Sequence, residues 1–178
     1  MTSGATERPP RGLSDFLDSH PAWRERVRDT LDWSAVVAQI EREATASGQH
    51  QAEKLMQVAD LARLLLADVS RVARMYQRAW QLDASQSRAI EAARALYRDM
   101  GYWDMVRRLA ESEMDSAQDP AHKARLAALV GDLLLDSAQP DAAAPLLAKA
   151  VAAFPGDERY GHDLELAQYD TTRWQERV

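Results

Sequence analysis

The chain has 178 residues, a length that favours one domain or one short array of repeats. Its 28 acidic and 22 basic side chains give a net charge of −6, which repels phosphate backbones, so we expect no nucleic-acid partner. The sequence has no cysteine and no apolar run approaching the ~20 residues that span a bilayer. Residues 1–12 contain no apolar stretch of seven or more residues, so we expect no secretory signal. These features predict a cytoplasmic protein without a membrane partner.

The predicted elements begin after a disordered N-terminal arm at residues 1–12, where Pro9, Pro10 and few apolar side chains leave little surface to bury. Beyond it, frequent alanine and scarce glycine favour helices over strands. Pro21 fits the first turn of a helix, and Gly101 fits the left-handed turn that ends one. The predicted helices cover residues 21–31, 33–46, 51–67, 69–82, 87–100, 103–117, 121–137, 140–154 and 158–170, and a further helix begins at Trp174.

The chain contains an internal repeat of about 70 residues. Trp33, Trp103 and Trp174 are separated by 70 and 71 residues, and Val58-Ala59-Asp60-Leu61 parallels Val130-Gly131-Asp132-Leu133 at an offset of 72. Each repeat spans two antiparallel helix pairs, and one pair cannot bury its apolar face alone. We therefore predict an all-α, right-handed solenoid over residues 13–178, with about four helix pairs and a partial C-terminal pair. The predicted pairs are 21–46, 51–82, 87–117, 121–154 and the partial pair 158–178.

Small and large residues alternate within these pairs at the spacing of a known family. In residues 124–157, positions 8, 20, 24, 27 and 32 of a 34-residue unit hold Gly131, Ala143, Leu147, Ala150 and Pro155. In the preceding 34-residue repeat of this kind, Ala59 is position 8 when the first helix is counted from Ala52, and Tyr76 and Ala79 are positions 24 and 27 after a one-residue insertion. Arg94 and Glu113 depart from the pattern at positions 8 and 27. Residues 21–178 thus resemble the tetratricopeptide repeat (TPR) family, a helical-hairpin solenoid.

The resemblance implies a groove lined by the first helix of each pair, which binds a protein or peptide. The positions that face the groove in the family correspond here to Met56, Asp60, Arg63, Arg88, Glu91, Arg98, Arg125, Asp132 and His162. The resemblance thus predicts a scaffold or adaptor, which would also suit the N-terminal part of a longer repeat protein. The alternative is a regulatory or sensory domain whose groove takes a small ligand or signalling peptide, and a closed apolar pocket would favour it.

The sequence offers no pattern for catalysis. The four histidines have no metal-ligand spacing, and there is no cysteine nucleophile, glycine-rich phosphate loop or GxSxG motif. Carboxylate pairs such as Asp132 and Asp136 are typical of a solvated helix face. We therefore expect no enzyme, no cofactor and no metal. The periodic tryptophans are predicted to be buried plugs between helix pairs, whereas Trp80 is predicted to be partly exposed.

The last predicted helices form a possible docking edge. Residues 158–170 would lack most of a partner helix, which leaves an apolar edge of the kind that marks an interaction site. This predicted edge comprises Leu164, Leu166, Ala167, Tyr169 and Trp174. The sequence predicts that it docks onto another chain, with self-association as one outcome.

Overall fold

The computed structural model describes residues 13–28, 32–46 and 50–175, without the side chains of residues 26–28 and 170–175. The predicted N-terminal arm at residues 1–12 lies outside this part. The described residues form ten helices: α1 (Leu13–Ser19), α2 (Pro21–Arg28), α3 (Trp33–Ala46), α4 (Gln51–Leu65), α5 (Val69–Leu82), α6 (Ser87–Asp99), α7 (Trp103–Ser116), α8 (Pro120–Asp136), α9 (Pro140–Ala153) and α10 (Glu158–Gln175). The chain divides into two compact units, residues 1–96 and 97–178.

The first unit is centred on the antiparallel pair α4 and α5, which a short turn joins. Asp68 ends this turn and caps α5, because its carboxylate accepts a hydrogen bond of 2.9 Å from the backbone N–H of Arg71. The buried residues of the pair include Leu55, Val58 and Val72. Helix α3 packs on α4.

The second unit contains α7 to α10, each packed on its neighbour in the chain. Gly101 takes the predicted left-handed conformation, with φ of 74°, in the turn before α7. Asp119 caps α8 by accepting from the backbone N–H groups of Ala121 and His122. The core comprises Ala110, Leu126, Val130, Leu134, Ala143, Leu147 and Ala167.

The crossing of α8 and α9 explains the spacing of small residues seen in the sequence. Gly131 is buried directly against Leu147, and a Cβ placed on it would lie 2.7 Å from the Cγ of that leucine. Ala143 and Ala150 are fully buried on α9. Small residues at these positions let the two helix axes approach closely.

Two predicted boundaries are wrong. The sequence predicts no helix before Pro21, but α1 forms there and buries Phe16, whose ring stacks on His20 at 4.3 Å. The sequence also predicts a break before Trp174, whereas α10 continues from Glu158 to Gln175. In the described part of the chain, no helix combines the length and apolar character needed to cross a membrane.

Candidate functional site

In the first unit, a buried polar network joins α4 to α6, which are the first helices of two successive helix pairs. Asp60 on α4 accepts a hydrogen bond of 2.5 Å from the Tyr76 hydroxyl of α5. The Nη2 atom of Arg88 on α6 lies 2.9 Å and 2.8 Å from the two oxygens of the same carboxylate. Burial, and then the neighbouring Asp60 charge, raise the pKa of Tyr76. The tyrosine hydroxyl therefore keeps its proton and remains a donor to Asp60.

A similar ion pair joins first helices in the second unit. Asp132 on α8 accepts a hydrogen bond of 2.5 Å from Nη2 of Arg159 on α10. Asp163, one turn after Arg159, lies beside Asp132, and its Oδ2 is 3.7 Å from the Nε of the arginine. Burial, and then the Asp163 charge, raise the pKa of Asp132 to about 6, although Arg159 opposes the shift.

The two ion pairs occupy equivalent positions of the repeat. Asp60 and Asp132 both hold position 9 of their 34-residue repeats, and Arg88 and Arg159 both hold position 2 of the repeats that follow. The intervals between aspartate and arginine are 28 and 27 residues. Both pairs link successive first helices. The sequence-based assignment included Arg88 but missed Arg159, although this interval was a signal that could have found it.

The remaining residues of the predicted groove differ in exposure. Asp60 is buried at 8% exposure, so the prediction that it faces an open groove is wrong: Tyr76 and Arg88 cover it. Met56, Arg88 and Asp132 are half-buried, whereas Arg63, Glu91, Arg98, Arg125 and His162 are exposed. We call these last five residues, together with Met56, the first-helix surface, because all of them lie on first helices; the first unit contributes Met56, Arg63 and Glu91, and the second contributes the other three.

Two arginines of the first-helix surface already contact other groups. The guanidinium of Arg125 lies over the Phe154 ring, 5.9 Å from its centroid, and its Nη2 is 3.8 Å from Asp119. Arg98 lies 3.7 Å from its neighbour Asp99. These long, exposed contacts contribute little stability, so both arginines can turn toward a ligand.

The predicted docking edge of α10 is only partly exposed. Leu166 and Tyr169 are 44% and 61% exposed, and Leu164 is half-buried against the core. Ala167 is fully buried in the core, so its assignment to an exposed edge is wrong. The side chain of Trp174 lies outside the described residues.

The exposure of Trp103 and Trp80 is the opposite of what the sequence predicts. Trp103 is 52% exposed rather than a buried plug, because it is the first residue of α7 and projects from the start of the helix. Trp80 is buried at 9% exposure, because it lies one turn after Tyr76 on the buried face of α5. Trp33 is half-buried.

Glu113 departs from the expected alanine at position 27 and is nevertheless buried, at 4% exposure. Its Oε1 lies 2.8 Å from Nε2 of His122, which begins the next helix. Glu113 is an exception to the repeat pattern, and its partner in the structure is the histidine nine residues later in the chain. The pair is a packing contact between α7 and α8.

One cleft of about 350 Å³ lies in the first unit, between the start of α4 and the α5–α6 turn. It is lined by His50, Gln51, Ala52, Glu53, Leu82, Asp83 and Gln86. Hydrogen bonds from the Ser85 and Gln86 side chains lower the pKa of Asp83 and occupy its carboxylate. The mostly polar lining does not match the apolar pocket that a small-ligand sensor would need.

Several solved structures match the chain, among them two of MamA. The MamA RS-1 ArsTM double mutant matches with a TM-score of 0.50 and 18% sequence identity, over 90% of this chain and 91% of that chain. MamA 41-end from Desulfovibrio magneticus RS-1 matches with a TM-score of 0.47 and 17% identity, over 90% of this chain and 92% of that chain. No family model and no curated protein matches the sequence. MamA is a TPR-containing protein, and the first likeness confirms the predicted fold class, an all-α array of antiparallel helix pairs of the TPR-like solenoid type.

Proposed function

We propose that the chain is a non-catalytic scaffold of the TPR family that binds a protein or peptide through the first-helix surface. The observation that carries this proposal is the equivalent pair of contacts, Asp60 with Arg88 and Asp132 with Arg159, in the two units. Each contact holds two successive first helices side by side. Within each unit, side chains on the open parts of these helices therefore keep a fixed spacing, which is what recognition of a peptide segment requires.

The charges of this surface indicate a partner of mixed charge. Arg63 on α4 and Glu91 on α6 are exposed in the first unit, and Arg125 on α8 and His162 on α10 are exposed in the second. Exposed arginines bind carboxylates through two parallel hydrogen bonds, whereas Glu91 suits a lysine or arginine of the partner. We therefore expect a segment that presents both acidic and basic side chains.

Selection from a random peptide library against the full chain tests this function. The selected peptides should lose at least tenfold in affinity when Arg63→Glu and Arg125→Glu are combined, because each change replaces attraction by repulsion. The matched control is Arg74→Glu with Arg78→Glu, which alters two exposed arginines of the second helix α5. Equal losses in both double variants, or failure to select any peptide, would contradict the proposal.

Self-association through α10 is a second candidate role, favoured by the exposure of Leu166 and Tyr169 on one helix. Sedimentation at tens of micromolar should then show a dimer, and Leu166→Glu with Tyr169→Glu should dissociate it. A monomer under these conditions would exclude this role and would leave peptide binding by the first-helix surface unaffected.

A further inference from the structure

The two equivalent aspartates, Asp60 and Asp132, differ in how many of their carboxylate oxygens accept a hydrogen bond. Both oxygens of Asp60 accept hydrogen bonds, from Tyr76 and Arg88. Asp132 accepts from Arg159 through Oδ2, but its buried Oδ1 has no hydrogen-bond donor. A buried acceptor without a donor is costly, so this atom needs an explanation.

The repeat itself explains the missing donor. Position 24 is Tyr76 in the first unit, where its hydroxyl reaches Asp60. The same position in the second unit is Leu147, which has no hydrogen-bonding group and packs against Gly131. The place of the tyrosine hydroxyl is therefore left without a donor from α9.

A second carboxyl group lies beside Asp132. Arg159 contacts both carboxyl groups, with Nη2 at 2.5 Å from Oδ2 of Asp132 and Nε at 3.7 Å from Oδ2 of Asp163, and this buried Oδ2 also lacks a hydrogen-bond donor. The two side chains are only 22% and 17% exposed. Two neighbouring carboxylates cannot both ionise without strong repulsion, but one proton between them supplies the donor that both lack.

The surrounding charges do not replace this proton. Arg159, the cation facing the pair from α10, is 71% exposed, so solvent screens it. On α9 the charged residues are Asp141 and Lys149, both exposed. On α7 the buried Glu113 pairs with His122 of α8. His122 lies almost three helical turns before Asp132, so this pair is distant from the two carboxyl groups. Asp136, one turn after Asp132, and the neighbouring His162 are exposed.

We propose that Asp132 and Asp163 share one proton and act as a pH-sensitive lock, which holds α10 against α8 in mildly acidic solution and weakens when the proton is lost. The lock is confined to the second unit. In the first unit the Tyr76 hydroxyl donates the corresponding hydrogen bond to Asp60, and this hydroxyl does not titrate near neutral pH. It does not depend on the proposed binding function, since it concerns the attachment of one helix.

The direction of the pH effect follows from the pKa of Asp132, which rises from 3.8 to about 6 in the folded chain through burial and the Asp163 charge. Between these two values the folded state binds more protons than the unfolded state. The free energy of unfolding therefore decreases as the pH rises through this interval, and it stays low above it. A carboxylate whose folded-state pKa is lowered by a salt bridge would have the opposite effect.

Hydrogen exchange of the full chain between pH 5 and pH 8 tests the lock, with rates corrected for the pH dependence of intrinsic exchange. We expect the protection of α10 amides to fall about tenfold over this range, because a carboxyl group with a pKa of about 6 loses most of its proton between pH 5 and pH 8. Amides of α4 serve as the reference within the same molecule and should not follow this change. Constant protection of α10 in the wild-type chain would overturn the proposal.

Three substitutions separate the shared proton from a general charge effect. Asp132→Asn supplies a permanent donor, so α10 should stay protected at pH 8, about tenfold above the wild type. Asp163→Asn should do the same and provides a second variant if the first does not fold. Asp136→Asn removes an exposed carboxylate one turn away and should leave the pH dependence unchanged. Loss of the pH dependence in this control variant would contradict the lock.

The titration of the wild-type carboxyl group provides a test that needs no variant. Carbon-13 NMR of the Asp132 side chain should show a midpoint near pH 6, and a midpoint below pH 5 would overturn the proposal. Asp60→Asn provides the contrast: it breaks a fully satisfied ion pair and should lower protection of α4 at every pH.

Discussion

The contact between Gly131 and Leu147 shows at the scale of single residues why the repeat needs small side chains. A Cβ on Gly131 would lie 2.7 Å and 2.8 Å from two carbons of Leu147, closer than van der Waals contact allows. We expect Gly131→Ala to destabilise the second unit by about 1–2 kcal/mol, because the overpacking cost exceeds the gain in helix propensity. Urea unfolding measures this difference.

Gly161 is the matched control for this prediction. It also lies inside a helix, α10, but a Cβ there would meet no atom within 4 Å. Gly161→Ala should therefore stabilise the chain by about 0.5–1 kcal/mol through helix propensity alone. If both alanine variants change stability in the same direction, the close contact at Gly131 does not control the crossing of α8 and α9.

Sequence reasoning predicts residues of this kind better than it predicts polar ones. The small residue at position 131 follows from helix packing, which a repeat pattern encodes directly. The burial of Asp60 does not follow from its position, because it depends on whether Tyr76 and Arg88 reach over it. The unpaired oxygen of Asp132 likewise depends on three side chains from two helices. Such networks become visible only when the helices are placed.

At the scale of elements, Pro145 lies inside α9 on its exposed side. A proline at this position cannot donate a backbone hydrogen bond to the carbonyl of Asp141 one turn earlier, and its ring crowds that turn. We expect Pro145→Ala to raise the free energy of unfolding by about 1–3 kcal/mol, because it restores the bond and replaces proline with the best helix former. Thermal unfolding followed by circular dichroism measures the change.

The control for this helix is Ala148→Ser, an exposed substitution on α9 that removes no backbone bond and should change stability by less than about 0.5 kcal/mol. A Pro145→Ala variant that is less stable than the wild type would show that the proline fits a bent helix which alanine does not reproduce.

The helices were predictable where breakers or caps mark their ends, and less so elsewhere. Pro140 and the Asp119-Pro120 pair locate the starts of α9 and α8. The short α1 has only seven residues, so its apolar residues Leu13, Phe16 and Leu17 complete little more than one turn of a periodic pattern. The predicted break before Trp174 rests on the tryptophan repeat, which places helix starts at Trp33, Trp103 and Trp174. Residues 170–173 contain no proline or glycine that would end a helix.

At the scale of the whole molecule, each of the two units contains one aspartate at the same repeat position, and the two aspartates have different hydrogen-bond partners. Tyr76 closes the polar network of the first unit, and a shared proton is our explanation for the second. In a repeat protein, stability is a sum of local terms, so a defect in one network should weaken its own unit most. A single free energy of unfolding would hide this difference.

Tyr76→Phe tests this expectation. The change leaves the buried ring in place and removes the hydroxyl that donates to Asp60 at 2.5 Å, which should cost about 1–3 kcal/mol. Native-state hydrogen exchange should show lower protection of α4 and α5, whereas α8 and α9 should keep their wild-type protection. An equal loss of protection in all four helices would mean that the chain unfolds as one cooperative block and that its stability is not a sum of local terms. Tyr160→Phe is the control, because Tyr160 lies on α10, in the second unit, and should leave α4 and α5 unchanged.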